Sequence, residues 1–490
     1  MGLSRDAPMD LYDTISPIDY RYYGGNAEFH ARLQPYAPES ANVAYLLRVE
    51  AALVRMLARW GVCPETAADE VERAIQDIPA SEVYEEERRV HHNIRALVNC
   101  IRKRISPESR PFVHLFATSA DIMDTAAALR YKELVRDVLL PDLIELENRL
   151  ITLAVTNAGR AQIGRTHGQH AVPTTFGYAM ALYVSRIGSR IEVIERARRN
   201  LIGQFSGAVG AFNQLALLHP DDPAALEREL LESLGLKPAE PSASSQLVLP
   251  EPLTDLAYGV VSCFSVLANL ADDMRHLIRS EIAEVVEKYG DDEVGSSTMP
   301  HKMNPKNFEN VKSLWKEFMP RMNTIFMDQL SEHQRDLTNS ASSRFVPELL
   351  TGFCYAVMRT NDALSKIEPN ARRMDENLEA SSRHVVAEPL YIILALHGYP
   401  DAYDTVMHLS RESRKTGVAL MELARQKPEL APYFKKLAPR EREILDDPAK
   451  YTGAAAERTA AVCAYWKPVC DSLARTLETE RQALHRAPLT

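Results

Sequence analysis

Between Thr254 and Tyr289 the apolar residues fall at Leu256, Val260, Phe264, Leu267, Ala271, Met274, Ile278, Ile282 and Val285. Steps of three and four place them on one face of an α-helix and on no strand. About 35 residues at a rise of ~1.5 Å make a rod of roughly 50 Å. One compact neighbour cannot cover a stripe that long, so the pattern requires a bundle of similar rods. Ser119 to Asn157 and Thr174 to Gln204 carry comparable patterns, the first with a bend expected at Pro141. No alternating β-branched run is long enough for a major sheet. The expected fold is all-α: a long central helical bundle flanked by smaller N- and C-terminal helical domains.

The zones follow from where the long patterns stop. Residues 1–115 read as shorter helical segments, broken by prolines at 8, 17, 35, 38, 64, 79, 107 and 111. Residues 116–365 are the long-helix bundle and 366–490 a third zone of shorter helices such as Ala402 to Thr416 and Ala419 to Gln426. With 46% hydrophobic residues in 490, the chain can bury a large core. A net charge of −10 and only one short basic cluster, Arg102 to Arg104, predict neither a nucleic-acid nor a membrane partner. The longest uncharged stretch, Leu256 to Ala271, reads as buried helix. The start, MGLSRDAPMD, has no apolar core for a secretory signal, and Asp6 breaks the myristoylation pattern. Cysteines at 63, 100, 263, 354, 463 and 470 show no metal-type spacing and predict reduced thiols in a cytoplasmic protein.

Three segments carry groups suited to chemistry. Thr118-Ser119-Ala120-Asp121 opens an alanine-rich helix, Ile122 to Leu134. It reads as a helix cap, and the same free N–H groups and hydroxyls also suit a carboxylate. Gly164-Arg165-Thr166-His167-Gly168-Gln169-His170 sets a histidine in what reads as a loop, with a helix starting at Pro173 to Thr175. Histidines so placed are more often structural than catalytic. Gly295-Ser296-Ser297-Thr298-Met299-Pro300-His301-Lys302-Met303-Asn304-Pro305, behind the acidic Gly290-Asp291-Asp292-Glu293, is too rich in glycine and proline for regular structure. Its lysine and amide suit an anion. A helix is expected from about Asn307.

These segments, in this order, resemble the three signature stretches of the fumarase/aspartase superfamily, whose members eliminate fumarate from succinyl-type substrates. Within it the chain is most similar to the adenylosuccinate lyase family. Ser16-Pro17-Ile18-Asp19-Tyr20-Arg21-Tyr22 resembles that family's SPxDxRY stretch, and Arg335-Asp336 through Ser340 to Arg344 its RDxxxSxxxR stretch. The likeness covers residues 11 to about 390. It implies Ser297 as general base, His167 as general acid, Glu309 polarising His167, and Lys302 as a catalytic anion holder. Asn304, Thr118, Ser119, Thr166 and Gln246 would hold the succinyl carboxylates. Arg21, Tyr22, Arg335, Ser340 and Arg344 would hold the phosphorylated purine part, with His114 near the substrate. At His91-His92-Asn93 the chain departs from the family, which has an acid after the histidine. His92 keeps the histidine, and Asn93 still hydrogen-bonds but lacks the charge.

The chemistry fits those residue types. Removing a weakly acidic C–H beside a carboxylate creates a dianion that fixed positive charge must stabilise. Histidine titrates in the right range to protonate a departing nitrogen. Serine is a weak base unless its pKa falls by several units, at about 1.4 kcal/mol each; backbone N–H groups near Gly295 to Ser297 and Lys302 are the candidate source. No metal or redox cofactor is needed. The resemblance further implies a small-molecule substrate, a succinylated purine nucleotide, and a homotetramer whose subunits share each site. The alternative is another fumarate-releasing succinyl lyase of the superfamily with a different substrate; an inactive relative that keeps the fold is the third reading.

Overall fold

The computed structural model describes residues 10–290 and 295–486. It is 67% helix and 4% strand, hence all-α. Helix Glu251–Leu277 buries Leu256, Val260, Phe264, Leu267, Ala271 and Met274. The stripe read from the sequence is thus its core face. The helix nevertheless stops well short of Tyr289. Beyond Leu277 the backbone turns, with Ala283 left-handed (φ 51°) and the Glu284 N–H returning to the Leu277 carbonyl at 2.9 Å. Val285–Glu287 then forms a short strand antiparallel to Ile367–Pro369. The observed helix is 27 residues long, against the roughly 35 expected from the apolar period. The cause is tertiary. Glu284, wholly buried, takes Arg165 at 2.6 Å, Gln162 at 2.7 Å and Asn377 at 2.8 Å, and these partners outweigh the helical period.

Around this helix pack Phe176–Arg199, Lys306–Phe318 and Val346–Lys366, and Leu140–Thr156 packs on the first and last of these, all sharing one interior of residues such as Leu146, Ile187, Phe264, Val311 and Phe353. Although Glu251–Leu277 is long and apolar enough to cross a bilayer, 67% of its apolar window lies inside this core. The last helix, Ala455–Arg486, returns to the same bundle and contributes Cys463, Trp466, Cys470 and Leu477. Gly188 admits it: a Cβ there would sit 2.4 Å from the Trp466 ring. A second apolar cluster joins helices Glu39–Arg59, Glu65–Ala74 and Asn93–Arg102 to the start of helix Ser119–Leu134, and a third spans Val386 to Leu445. All six cysteines are free and buried.

The predicted rod from Ser119 to Asn157 is continuous but not uniform. Helices Ser119–Leu134 and Leu140–Thr156 are joined by a π-helical turn, Val135–Leu139, with right-handed backbone at Leu134, Leu139 and Leu140. The wide turn sits immediately before Pro141, which has no N–H to donate, and takes up the disruption that was expected as a bend. A second expectation changes outright. Gly164 to Thr175 is not a loop leading into a helix but a β-hairpin, Ala161–Thr166 with Gln169–Thr175. Pro173 lies in its second strand, and the helix begins at Phe176, capped by Thr175 Oγ1 accepting the Tyr178 N–H at 3.1 Å.

Glu147, on Leu140–Thr156, is wholly buried, and neither carboxylate oxygen has a hydrogen-bond partner. Burial pushes its carboxyl up to about 9, against 4.5 for an ordinary glutamate. Between those values the unfolded chain releases a proton that the folded chain keeps, so this group's contribution is greatest at low pH and is lost as pH rises. Glu147→Leu should therefore raise the thermal midpoint more at about pH 8 than at about pH 5 in scanning calorimetry. Equal shifts at both would rule out a buried, protonated acid.

Candidate active site

The first turns of helix Ser119–Leu134 organise one half-site. The Thr118 N–H donates to Asp121 Oδ2 at 2.8 Å, so the capping reading of this motif is realised by Asp121. Asp121 is fully buried and also accepts from the N–H groups of Ser206 at 3.1 Å and Gly207 at 3.3 Å. Burial pushes its carboxyl up to about 7 in spite of these donors. One turn on, Asp124 accepts the Val248 N–H at 3.0 Å. Burial lifts Asp124 to about 6, while Val248 and the charge of Arg335 pull it down. Thr125 and Gln204 exchange hydrogen bonds at 2.9 and 3.0 Å. Gln204 Nε2 reaches the Gln246 carbonyl at 2.8 Å, and the Gln246 N–H reaches the Gln334 carbonyl at 3.1 Å.

Residues 121, 124 and 125 share a helix face, and that face fastens the segments carrying Gln246 and Arg335. Arg335 lies close enough to Asp124 for its charge to act on it, and its buried Nη1 has no hydrogen-bond partner. His92 caps helix Asn93–Arg102, its Nδ1 accepting the Arg95 N–H at 3.2 Å. The Asn93 amide meets Met123 Sδ at 3.2 Å, which brings this pair against the same helix. His114, left-handed at φ 65°, contacts buried Glu50 through Nδ1 at 2.7 Å. Arg344 closes the turn Ser342–Phe345, close enough to Tyr84 for its charge to act on the phenol. Ser340 lies exposed just before it. Tyr22 packs on Tyr355 of helix Val346–Lys366 with centroids 4.8 Å apart and the rings tilted by 51°, and Arg21 is exposed beside it.

A second group of residues lies beyond the other end of the rod. The hairpin turns on His167 and Gly168, both with positive φ (53° and 73°), between paired Thr166 and Gln169. Two left-handed central residues make a type I′ turn, which leaves His167 exposed at its tip. Arg165 anchors the hairpin to Glu284, and His170 Nδ1 contacts Ser381 Oγ. The Gly295–Pro305 segment is irregular as expected, and it is fastened to itself. Asn304 Nδ2 donates to the Gly295 carbonyl at 2.9 Å, and Tyr289 donates its hydroxyl to the Asn304 carbonyl. A Cβ on Gly295 would lie 2.3 Å from the Lys302 carbonyl, so only glycine fits there. Ser296 Oγ accepts the N–H groups of Thr298 at 3.4 Å and Met299 at 3.1 Å, so those two donors are taken. Ser297 and Lys302 are exposed. The acidic lead-in Asp291 to Glu293 lies outside the described residues. Glu309, in the first turn of Lys306–Phe318, sits 4.0 Å from Arg275 and makes no hydrogen bond or ion pair with His167.

Thr118 and His167 do not meet within one chain. The rod between them consists of 16, 5 and 17 consecutive helical residues, about 55 Å at ~1.5 Å each. The hairpin follows at its far end. A single copy therefore presents two partial constellations: Thr118, Ser119, His92, Asn93, His114, Gln246 and Arg335 at one end, Thr166 and His167 at the other. Three contributors escaped the reading of motifs. Glu50 and Glu284 are internal acids whose partners lie far off in the chain, and Asp124 was not separated from its helix. Glu50 did leave a signal: it is an acid between apolar Val49 and the apolar run Ala51 to Val54.

A sequence model of the Lyase family matches residues 25–317, and one described as adenylosuccinate lyase C-terminal matches residues 331–439. The adenylosuccinate lyase of Pyrococcus horikoshii is 36% identical over 460 residues, covering 92% of this chain and 98% of that protein. That of Pyrococcus abyssi is 35% identical over 426 residues, 86% of this chain and 92% of the other. Among solved structures, 3-carboxy-cis,cis-muconate lactonizing enzyme from Pseudomonas putida superposes with a TM-score of 0.77 at 25% identity, covering 93% of this chain and 98% of that one.

Proposed function

The chain belongs to the adenylosuccinate lyase family and is a fumarate-releasing carbon–nitrogen lyase, and we propose a division of labour among its residues on that premise. It cleaves adenylosuccinate to AMP and fumarate, and the corresponding succinylated aminoimidazole carboxamide ribotide. Ser297 takes a proton from the succinyl carbon next to a carboxylate. The electron pair left on carbon forms the fumarate double bond as the C–N bond breaks, and the nitrogen leaves with that bond's electrons. His167 gives it a proton, with Glu309 polarising the imidazole. Lys302 offsets the extra charge of the intermediate, a contribution that grows toward the transition state. Thr118, Ser119, Thr166, Gln246 and Asn304 hold the carboxylates. His92, Asn93 and His114 lie along the nucleotide, and Arg21, Tyr22, Arg335, Ser340 and Arg344 hold its AMP-like part, the phosphate included.

The observation that carries this reading is the buried Arg335 Nη1 beside the Thr118 half-site, which has no hydrogen-bond partner although Asp124 lies near enough to feel the charge: a guanidinium with an unmet donor suits a phosphorylated substrate. The separation of Thr118 from His167 supports the further proposal of a homotetramer in which each site draws on several subunits. Exposed Tyr178, Leu182 and Tyr258 on the central helices, with Met327 and Leu330 beyond them, are apolar surface for such contacts. We place the enzyme in the cytoplasm, where its buried thiols stay reduced. Ultraviolet monitoring with adenylosuccinate should show turnover to AMP and fumarate. Inertness toward adenylosuccinate, with fumarate released from a succinyl compound lacking a phosphate, would overturn the substrate assignment and leave the reaction class standing.

A further inference from the structure

Glu50 stands in the middle of helix Glu39–Arg59, wholly buried. One carboxylate oxygen meets His114 Nδ1 at 2.7 Å, and the other has no partner. The His114 side chain is partly exposed, and its second nitrogen makes no hydrogen bond among the described residues. Its backbone is held left-handed, as is that of Phe116 (φ 64°), whose carbonyl accepts from Gln214 Nε2 at 3.0 Å. Left-handed conformations cost such residues free energy and persist where the surroundings impose them. The turn leads, four residues on, into Thr118. A buried acid is costly unless it is paired, and here the pairing aims an imidazole at the half-site.

We propose that Glu50 is a positioning residue for the lyase reaction, fixing the His114 ring so that Nε2–H donates to an anionic group of the bound nucleotide. The inference rests on the assignment of His114 to the substrate site above. Glu50 touches no substrate itself. With Nδ1–H committed to Glu50, a protonated His114 has one donor left, and it points the only way the carboxylate allows. The charged groups acting on the ring come from three helices: Glu50 from Glu39–Arg59, Asp121 from Ser119–Leu134, and Arg95 from Asn93–Arg102. Burial alone would lower the pKa of His114, but the hydrogen bond and charge of Glu50, helped by Asp121 and opposed by Arg95, raise it overall. The cationic, donating form thus persists to higher pH than in a free histidine. As Asp121 itself ionises, its charge acts in the same direction.

The test compares Glu50→Gln and His114→Gln with the wild-type oligomer, reading KM and kcat for adenylosuccinate from about pH 6 to about pH 9. Glu50→Gln keeps the shape and loses the charge. With that charge gone, burial and Arg95 pull the ring's pKa down, so the rise in its KM over wild type should be smallest at pH 6 and grow to roughly tenfold or more at the alkaline end, with kcat changed far less. His114→Gln should raise KM with no such pH dependence, and adding Glu50→Gln to it should change little more. A Glu50→Gln effect equal at every pH, or none, overturns the inference while His114→Gln remains impaired. If His114→Gln is also unimpaired, the assignment of His114 to the substrate falls and takes the inference with it. The wild type gives a check that needs no folded variant: its KM should stay level beyond pH 6.5, the ordinary histidine value, and a rise centred there overturns the proposal.

Discussion

Ser297→Ala and His167→Ala will each lower kcat by roughly 100- to 10,000-fold, the usual contribution of a positioned acid or base, with little change in thermal midpoint. The structural half of that expectation comes from where these side chains sit. The Ser297 hydroxyl takes no part in the bonds that hold its loop together: Asn304 to Gly295, Tyr289 to Asn304, and Ser296 to the N–H groups of Thr298 and Met299. Removing it leaves the loop intact. His167 stands at a hairpin tip whose shape depends on backbone pairing between Thr166 and Gln169, and exposed substitutions of this kind usually cost under about 0.5 kcal/mol. Ser296→Ala is the informative neighbour. It deletes the loop's internal acceptor, so it should lower order in the segment and raise KM, with a much smaller loss of kcat than at Ser297. Near-normal turnover by either principal variant would remove that residue from the mechanism, and a Ser296 defect as deep as that at Ser297 would make the serine's role structural.

The residues differ in how far the chain announces them. The core face of Glu251–Leu277 was legible because burial follows the helical period. Its end was not, because Ile278, Ile282 and Val285 continue the period while the chain leaves the helix for Glu284. The partners that hold Glu284, namely Arg165, Gln162 and Asn377, lie about a hundred residues away in sequence. Local pattern cannot register such a competition. The hairpin was missed for a related reason. His-Gly is not the Asn-Gly or Asp-Gly pair that usually marks a two-residue turn, and its strands carry a proline and few apolar residues. The candidate site motifs stood out by residue type and resemblance. What resemblance could not show is how one copy distributes them: that depends on a π-turn keeping the helix continuous through Pro141, and so on the length of the rod.

That length makes a second large effect predictable. Pair His167→Ala, a lesion at the hairpin end, with Arg335→Ala, a lesion at the Thr118 end. Each variant alone should be nearly inactive at low substrate, the first for want of an acid and the second for want of an anion anchor. If every site takes its Thr118 end from one subunit and its His167 end from another, mixed oligomers contain some sites with neither lesion. An intact site needs an Arg335→Ala chain at its His167 position and a His167→Ala chain at its Arg335 position. Random mixing supplies each with even odds, so activity should rise to about one quarter of wild type. Sites built within single chains would recover nothing, since every chain carries one lesion. Co-expression with two different affinity tags, sequential purification and an adenylosuccinate assay measure the outcome directly. Inactive hybrids of the right mass would contradict shared sites and would demand that Thr118 and His167 act apart, which a dianionic intermediate held at both its carboxylates and its leaving nitrogen does not allow.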